Sequence, residues 1–192
     1  MFKCVEPGFS FKSPSNILIV GPTSCGKTTF LHDLLLENLD LFDERSPRVH
    51  YCYGSWQNKF DDMQCHGIEF FKGGGDDREI LNLFTQYSHH MNVTVCYLCQ
   101  DMLPQGKYAK TISRNAQYII AFKNPRDKVA LHTLLLQIYP TKWLPVMDIY
   151  NACMDRPYGY LLFDVHPASR DSTRLLSHLL QHEGCVRCYR EK

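Results

Sequence analysis

The segment from Gly21 to Thr28 constrains this chain more than any other part of its sequence. It reads GPTSCGKT and matches the phosphate-binding pattern GxxxxGK[ST] at every fixed position. A short apolar run, Asn16–Val20, precedes it, and leucines at helical spacing follow it from Lys27 onward. A buried strand that leads through a glycine-rich loop into an amphipathic helix is the context that this pattern requires. The sequence therefore predicts a nucleotide-binding loop.

The residue types of this loop suit its chemistry. Gly21 and Gly26 let the backbone turn tightly enough for successive N–H groups to point at phosphate oxygens. Lys27 reaches the outer phosphates of a nucleoside triphosphate, and the Thr28 hydroxyl ligates Mg²⁺. Cys25 is either a small packing residue or a site that makes binding sensitive to oxidation. The predicted nucleotide-binding residues are Gly21, Pro22, Thr23, Ser24, Cys25, Gly26, Lys27, Thr28 and Thr29.

The rest of the chain has the composition of one globular domain. Its 192 residues are 44% hydrophobic and 21% charged, and the net charge is +1. No apolar run reaches the ~18 residues of a membrane helix, and the N-terminus lacks the apolar stretch of a signal peptide. Nine cysteines are too few for a disulfide scaffold. These features predict a soluble intracellular protein that has reduced thiols and no membrane partner.

Strand-like and helix-like segments alternate along the chain. This alternation predicts an α/β fold with a mainly parallel sheet flanked by helices. Besides the run before the loop, the predicted strands are Val49–Tyr53, Ile68–Phe71, Val93–Cys99, Tyr118–Phe122 and Gly159–Asp164. After the helix that begins at Lys27, further helices are predicted over 78–90, 107–116, 126–139, 143–154 and 171–183.

A nucleotide-hydrolysing loop also needs an acid at the end of a neighbouring buried strand. Asp164 ends an apolar run, but that run comes late in the chain. Gln100 separates Asp101 from the strand before it, and Asp76 and Asp77 follow three glycines with no apolar run directly before them. The pattern alone therefore identifies no convincing acid.

The net charge is near neutral, but acidic and basic residues are concentrated in different segments of the chain. Residues 31–90 carry a net charge of −6, and residues 105–128 carry +5. The second segment, called the basic strip below, is either a solvated face or a surface that meets phosphates. Those phosphates would belong to a polynucleotide or to a nucleotide held by a neighbouring subunit. Its basic residues are Lys107, Lys110, Arg114, Lys123, Arg126 and Lys128.

Five stretches of the chain resemble genome-packaging ATPases of Polinton (Maverick) elements and adintovirus- or virophage-like viruses, in the FtsK–HerA group of P-loop ATPases. They are NILIVGPTSCGKTTFLHDLL, VHYCYGSWQ, IEFFKG, LNLFTQYSHHMNVTVCYLCQDMLPQGKYAKTISRNAQYIIAFKNPRDK and PYGYLLFDVHP. Their extent predicts an ATPase domain over 15–167, after an irregular lead-in over 1–14 and before a C-terminal helix and tail over 168–192. The resemblance implies a RecA-like (ASCE) fold with ATP and Mg²⁺ as cofactors. It also implies a homo-oligomeric ring that moves double-stranded DNA into a capsid, in the nucleus or in a cytoplasmic viral factory.

The resemblance assigns roles to single residues. Gln100 matches a polar sensor of the terminal phosphate or the attacking water. Arg126 is the first candidate for an arginine that stabilises developing charge, on its own or a neighbouring subunit's nucleotide, and Arg114 is the second. For both arginines, a plain surface position or contact with the DNA backbone is the alternative.

The chain departs from this family between IEFFKG and LNLF, where such ATPases carry an apolar strand that ends in Asp-Asp or Asp-Glu. Only Gly73–Glu79 stands there, whereas a buried strand and its connections need on the order of 15 residues. One strand is therefore expected to be missing, which would leave backbone groups of its neighbours unpaired. Asp77, with Asp76, is the candidate substitute for the missing acids. The other two explanations are an incomplete gene model or skipped exon, and a decayed element, and these two together are favoured.

Three functions remain open on the sequence. The first is a DNA-stimulated ATPase motor. The second is a relic or adaptor that binds the nucleotide without turning it over. The third and weakest is a small-molecule kinase, for which no cluster of lid arginines is found.

A C-terminal group of histidines and cysteines is a separate candidate site. His178, His182, Cys185 and Cys188 would supply four ligands for tetrahedral zinc. Their spacing lacks the loop that usually separates two ligand pairs, which favours a solvated tail.

Overall fold

A computed structural model describes residues 8–44, 48–102 and 105–189. Five parallel strands come first in the chain: β1 (Asn16–Val20), β2 (Arg48–Tyr53), β3 (Glu69–Lys72), β4 (Val93–Cys99) and β5 (Tyr118–Phe122). Three antiparallel strands extend the same sheet: β6 (Tyr160–Asp164), β7 (Leu175–Ser177) and β8 (Arg187–Cys188). The order across the sheet is β3-β2-β4-β1-β5-β6-β7-β8.

Helices cover both faces of this sheet. They are α1 (Lys27–Glu37), α2 (Lys59–Cys65), α3 (Arg78–Asn82), α4 (Ser88–His90), α5 (Ala109–Arg114), α6 (Lys128–Ile138) and α7 (Trp143–Cys153), with a π-helical turn, Leu83–Tyr87, between α3 and α4. Apolar residues of α1 and α2 pack on one face, and those of α3, α5, α6 and α7 pack on the other. The predicted α/β architecture is therefore confirmed. Within the described ranges, no helix has the length and apolar character needed to cross a membrane.

The central strand β1 shows why the sheet forms where it does. All five of its residues are buried, as expected for a strand covered on both faces. Leu18 and Val20 point to the α6 and α7 side, and Ile17 and Ile19 point to the α1 side. Strands β4 and β5 flank it in parallel register, so the loop that follows β1 lies at the middle of one sheet edge.

The sheet has no gap at the place of the expected missing strand. Residues 73–77 form a loop without a strand, as the short interval predicts. However, β2 pairs directly with β4, from Arg48 opposite Val93 to Cys52 opposite Tyr97. The expectation of unpaired backbone groups is therefore wrong, because the two strands satisfy each other.

The predicted helix over 171–183 is also wrong. In its place stand two short 3₁₀ turns, Asp171–Thr173 and Gln181–Glu183, and the strand β7 between them. Leu175 and Leu176 face opposite sides of the sheet, and Leu176 lies opposite Leu162 of β6. The leucines of this segment have helical spacing, but pairing with β6 determines the structure.

The predicted irregular lead-in is only partly described, since residues 1–7 lie outside the described ranges. Its described part is packed rather than loose. Phe11 is fully buried and forms a bridge with Phe42 beyond the end of α1. Of the predicted C-terminal tail, residues 190–192 likewise fall outside the described ranges.

Asn16 joins β1 to two helical segments, and its loss should destabilise the fold. Its buried amide Nδ2 donates to the carbonyls of Phe84, in the π-helical turn, and Asn115, each at 2.9 Å. We expect Asn16→Ala to lower the free energy of unfolding by about 1–3 kcal/mol, because buried carbonyls lose their donors. Urea denaturation checks this, with the exposed Asn151→Ala on α7 as the control. Equal stabilities for the two variants would contradict the prediction.

Candidate functional site

The loop between β1 and α1 has the backbone of an anion cradle. Ser24 and Gly26 both adopt the left-handed conformation, with φ of 64° and 102°. Gly26 is the N-cap of α1, and its carbonyl accepts from Phe30 N at 2.9 Å. The N–H groups of the first helical turn therefore point out of the helix end, where backbone donors and the helix dipole favour a phosphate.

The two fixed glycines are required by this geometry. A Cβ on Gly21 would lie 2.8 Å from Cβ of Phe122 and 2.7 Å from Sγ of Cys25. A side chain at Gly26 would meet both its positive φ and the ring of Tyr158 at 3.2 Å. The motif therefore matches a loop whose path excludes side chains at these positions.

Lys27 folds back over the loop. Its ammonium Nζ donates to the carbonyls of Gly21 at 2.5 Å and Pro22 at 2.8 Å, and it lies 3.7 Å from Sγ of Cys25. The charge is thus held beside the cradle. An arriving phosphate would compete with two carbonyls for it.

Cys25 is half-buried, and it lies in the loop beside the Lys27 ammonium. Burial raises the pKa of its thiol, and the Lys27 ammonium only partly offsets this. The thiolate is the reactive form of cysteine, so this environment disfavours oxidation. Of the two interpretations of Cys25, the structure favours the small packing residue.

A cavity of about 980 Å³ opens over the loop at the carboxyl ends of the parallel strands. This is where α/β sheets usually bind ligands. Predicted residues Thr23 to Thr29 line it, whereas Gly21 and Pro22 are not among its lining residues. Other lining residues include Tyr51, Tyr53 and Gly54 from the end of β2, Cys99, Gln100 and Asp101 from the end of β4, and Tyr158 and Tyr160 around the start of β6.

The polar end of the cavity follows β4. Gln100, the predicted sensor, lines it, and so does the exposed carboxylate of Asp101. Sequence reasoning set Asp101 aside because a residue separates it from the strand. In the structure that one-residue offset still leaves Asp101 at the cavity, beside Gln100.

The other acids considered from the sequence are elsewhere. Asp77 does not line the cavity, and its Oδ1 accepts from Glu79 N at 2.8 Å as the N-cap of α3. Asp76 accepts from the backbone N of Lys107 at 2.5 Å. Asp164 ends an antiparallel strand opposite Tyr118, so it lies at the edge of the sheet away from the loop. The catalytic role predicted for Asp77 remains untested, but its carboxylate is occupied in a turn.

The two predicted arginines do not line the cavity. Arg126 and Arg114 are exposed, and neither is among the residues that line it. Arg126 follows β5, on the loop before α6, and Arg114 ends α5. Their predicted roles stay predictions, and these positions fit either a plain surface residue or a contact with a second molecule.

The basic strip is mostly free to meet another molecule. Lys123 is the exception, because its Nζ donates to the carbonyl of Met154 at 3.0 Å. Lys107 lies over the ring of Tyr108, with Nζ 5.0 Å from the ring centre. In the described part of the chain no ion pair engages Lys110, Arg126 or Lys128.

The oxygen donors near the loop fit Mg²⁺. Thr28 lines the cavity, and the buried hydroxyl of Tyr51 lies beside the Thr28 side chain. Burial raises the pKa of the Tyr51 phenol, so its hydroxyl stays neutral. Mg²⁺ in such sites takes one or two protein oxygens, with the remaining ligands from phosphates and water. The Thr28 hydroxyl supplies an oxygen of that kind.

The C-terminal segment forms part of the cavity wall, which the sequence did not predict. Tyr160 donates to Glu183, which also forms an ion pair with Arg156 at 2.7 Å. Burial and the negative charge of Glu183 raise the pKa of Tyr160 well above its usual value. No motif marks Glu183, because only the pairing of β7 with β6 brings it to the cavity.

The C-terminal histidines and cysteines do not converge on one point. His178 Nδ1 bonds with Ser177 Oγ at 2.8 Å, and Cys188 Sγ donates to the carbonyl of Ser172 at 3.4 Å. Within the described ranges, no three His, Cys, Asp or Glu side chains form a group that could hold a metal ion.

Neither a protein-family model nor a curated protein matches this sequence. The fold, however, is similar to that of solved viral proteins. The genome packaging NTPase B204 from Sulfolobus turreted icosahedral virus 2, in complex with ATPγS, gives a TM-score of 0.51 at 12% identity, over 81% of this chain and 95% of that chain. Its complex with sulfate gives 0.52 at 11% identity, over 79% and 91%. B204, the DNA-packaging ATPase from Sulfolobus turreted icosahedral virus, gives 0.50 at 11% identity, over 79% and 93%. At such identities the likeness shows a shared P-loop NTPase fold.

Proposed function

We propose that this chain binds Mg·ATP in the cavity over residues 21–29 and is an ATPase of the DNA-packaging type. The observation that carries the proposal is the complete phosphate cradle, with Lys27 beside it, under a cavity of about 980 Å³. The fold shared with viral genome-packaging NTPases supports it. The five stretches that resemble Polinton and FtsK–HerA packaging ATPases support the finer assignment.

Each residue of the cradle would have a separate task. The N–H groups at the start of α1 bind the phosphate oxygens, and the Lys27 ammonium moves from the Gly21 and Pro22 carbonyls to the outer phosphates. Thr28 would hold Mg²⁺, which when bound neutralises charge on the phosphates. Gln100 would orient the attacking water at the polar end of the cavity, and Asp101 is the nearby base.

A nucleotide-binding protein without turnover is the second candidate. The lack of acids on the strand that pairs with β4, on the side away from β1, favours this candidate. That strand is β2, and the residues at its end that line the cavity are Tyr51, Tyr53 and Gly54 rather than acids. The carboxylates that line the cavity in the described part of the chain are Asp33 on α1, Asp101 after β4 and Glu183, and none of them lies on β2.

Double-stranded DNA, a ring of subunits and capsid components are the partners that we propose. The exposed basic strip supports a phosphate-bearing partner, and the position of Arg126 outside its own cavity supports action on a neighbouring subunit. Such a motor would act inside the cell, in the nucleus or in a cytoplasmic viral factory.

Turnover with and without double-stranded DNA tests this function. We expect DNA to raise the ATPase rate several-fold, and the double variant Lys110→Ala/Lys128→Ala to reduce that stimulation without changing the basal rate. This is because phosphate contacts depend on exposed charge. Arg170→Ala, an exposed charge outside the basic strip, is the control. An unchanged rate with DNA would contradict the proposed DNA-dependent motor.

A further inference from the structure

Tyr158 has an unusual position beside the phosphate cradle. It precedes β6, and it would contact a side chain at Gly26 through both Cδ1 at 3.2 Å and Cβ at 3.4 Å. Its φ is 56°, a conformation that bulky residues rarely adopt. Although strained, 69% of the residue is exposed, so its ring is not held there for packing in the core. Backbone strain of this kind is concentrated at ligand-binding sites.

The loop that carries Tyr158 is fixed to the end of β5. Lys123 N donates to the carbonyl of Gly159 at 3.3 Å, and Lys123 Nζ donates to the carbonyl of Met154 at 3.0 Å. The hydroxyl of Tyr150 donates to the carbonyl of Phe122 at 2.8 Å. These bonds hold the backbone of the loop in place before any ligand arrives, which lowers the entropy lost on binding.

The direction of the cavity indicates which end would hold a base. Gln100 and Asp101 follow β4, on one side of β1, and they mark the end for the terminal phosphate. Tyr158 lies beyond β5, on the opposite side of β1. A nucleotide whose phosphates rest on residues 23–28, with the terminal phosphate toward Gln100, directs its base toward β5 and β6.

We propose that Tyr158 is the platform on which the aromatic base of the bound nucleoside triphosphate stacks. This inference rests on the proposed function and specifies the ligand class of the same cavity. The face of a tyrosine ring can stack on any base. The site would therefore require a base but would not distinguish one base from another.

Tyr53 is the competing aromatic residue at the other end of the cavity. Its ring is already engaged, since it makes edge contacts with Trp56 at 5.4 Å, Phe60 at 5.4 Å and Phe70 at 6.0 Å between ring centres. It also lies on the β2 side, beyond Gln100. Tyr158 is therefore the better platform.

Calorimetric titration of the full chain with ATP and with inorganic tripolyphosphate, both with Mg²⁺, tests this inference. We expect Tyr158→Ala to weaken ATP and GTP binding by roughly 5- to 150-fold, the range that loss of a base stack produces. Tripolyphosphate, which has no base, should bind within twofold of wild type. Tyr158→Phe should retain ATP binding, and Tyr87→Ala, an exposed tyrosine outside the cavity, should match wild type.

Several results would overturn the inference. Tyr158→Ala could leave ATP binding unchanged, or weaken ATP and tripolyphosphate by the same factor. A loss specific to ATP in Tyr53→Ala, and absent in Tyr158→Ala, would place the base at the other end. If wild type bound neither ATP nor tripolyphosphate, the proposed function itself would fail, and this inference with it.

Discussion

Replacing Lys27 with alanine is expected to weaken Mg·ATP binding by about 10- to 150-fold, the range that corresponds to a lost hydrogen bond between charged groups. Its ammonium lies within hydrogen-bond distance of two carbonyls of the loop, directly beside the cradle. No other lysine or arginine of the described residues lines the cavity, so nothing replaces the lost charge. Calorimetric titration with Mg·ATP measures the change.

A nearby lysine provides the control for this variant. Lys59 Nζ donates to Thr29 Oγ1 at 3.1 Å, but Lys59 does not line the cavity. Lys59→Ala should therefore bind Mg·ATP within about threefold of wild type. Equal losses in both variants would show that general positive charge, and not the cradle lysine, determines affinity.

Replacing Asp101 with asparagine is expected to lower ATP turnover by roughly 100- to 10,000-fold, the usual contribution of a positioned acid or base. It should change Mg·ATP affinity far less than Lys27→Ala does. The physical reason is that Asp101 is the carboxylate beside Gln100 at the polar end of the cavity. Single-turnover hydrolysis measured at saturating ATP separates the chemical step from binding.

Asp77→Asn is the matched comparison, since asparagine can also cap a helix. We expect it to retain turnover, because Asp77 Oδ1 already bonds to Glu79 N outside the cavity. Loss of turnover in Asp77→Asn, and not in Asp101→Asn, would show that Asp77 substitutes for the missing acids. No turnover by the wild-type chain would favour the second candidate, a protein that binds the nucleotide without hydrolysing it.

The strongest local patterns predicted the sheet well. Strands β1, β4 and β5 begin and end at the residues expected from their continuous apolar runs. Such runs are buried on both faces of the sheet, so they can be identified as strands without knowing which strands pair with them. The glycine and lysine positions of the loop could also be predicted. The backbone path of the loop and the position of its charge are both set by residues that are adjacent in the sequence.

Other parts depended on contacts that no local pattern reveals. The leucines around the short strand β7 have helical spacing and predict a helix, whereas pairing with β6 decides the structure. Helix α2 was not predicted, since its buried apolar residues are only Phe60 and Met63. The positions of Tyr158 and Glu183 at the cavity follow from the antiparallel extension of the sheet.

The direct pairing of β2 with β4 shows how a sheet accommodates a short interval. Five residue pairs, from Arg48 and Val93 to Cys52 and Tyr97, join the two strands. The backbone requirement for hydrogen bonds is met by any strand of suitable register. The chemical requirement for an acid is specific to a side chain, so strand pairing alone does not meet it.

Backbone amide chemical shifts on titration with Mg·ATP test the central claim most directly, because they locate the phosphates as well as detect binding. The account predicts a saturable titration in which the largest shifts fall at residues 23–28, on the N–H groups that form the cradle. Largest shifts elsewhere, for example at the second cavity around residues 137–149, would contradict it. So would the absence of any shift at millimolar Mg·ATP.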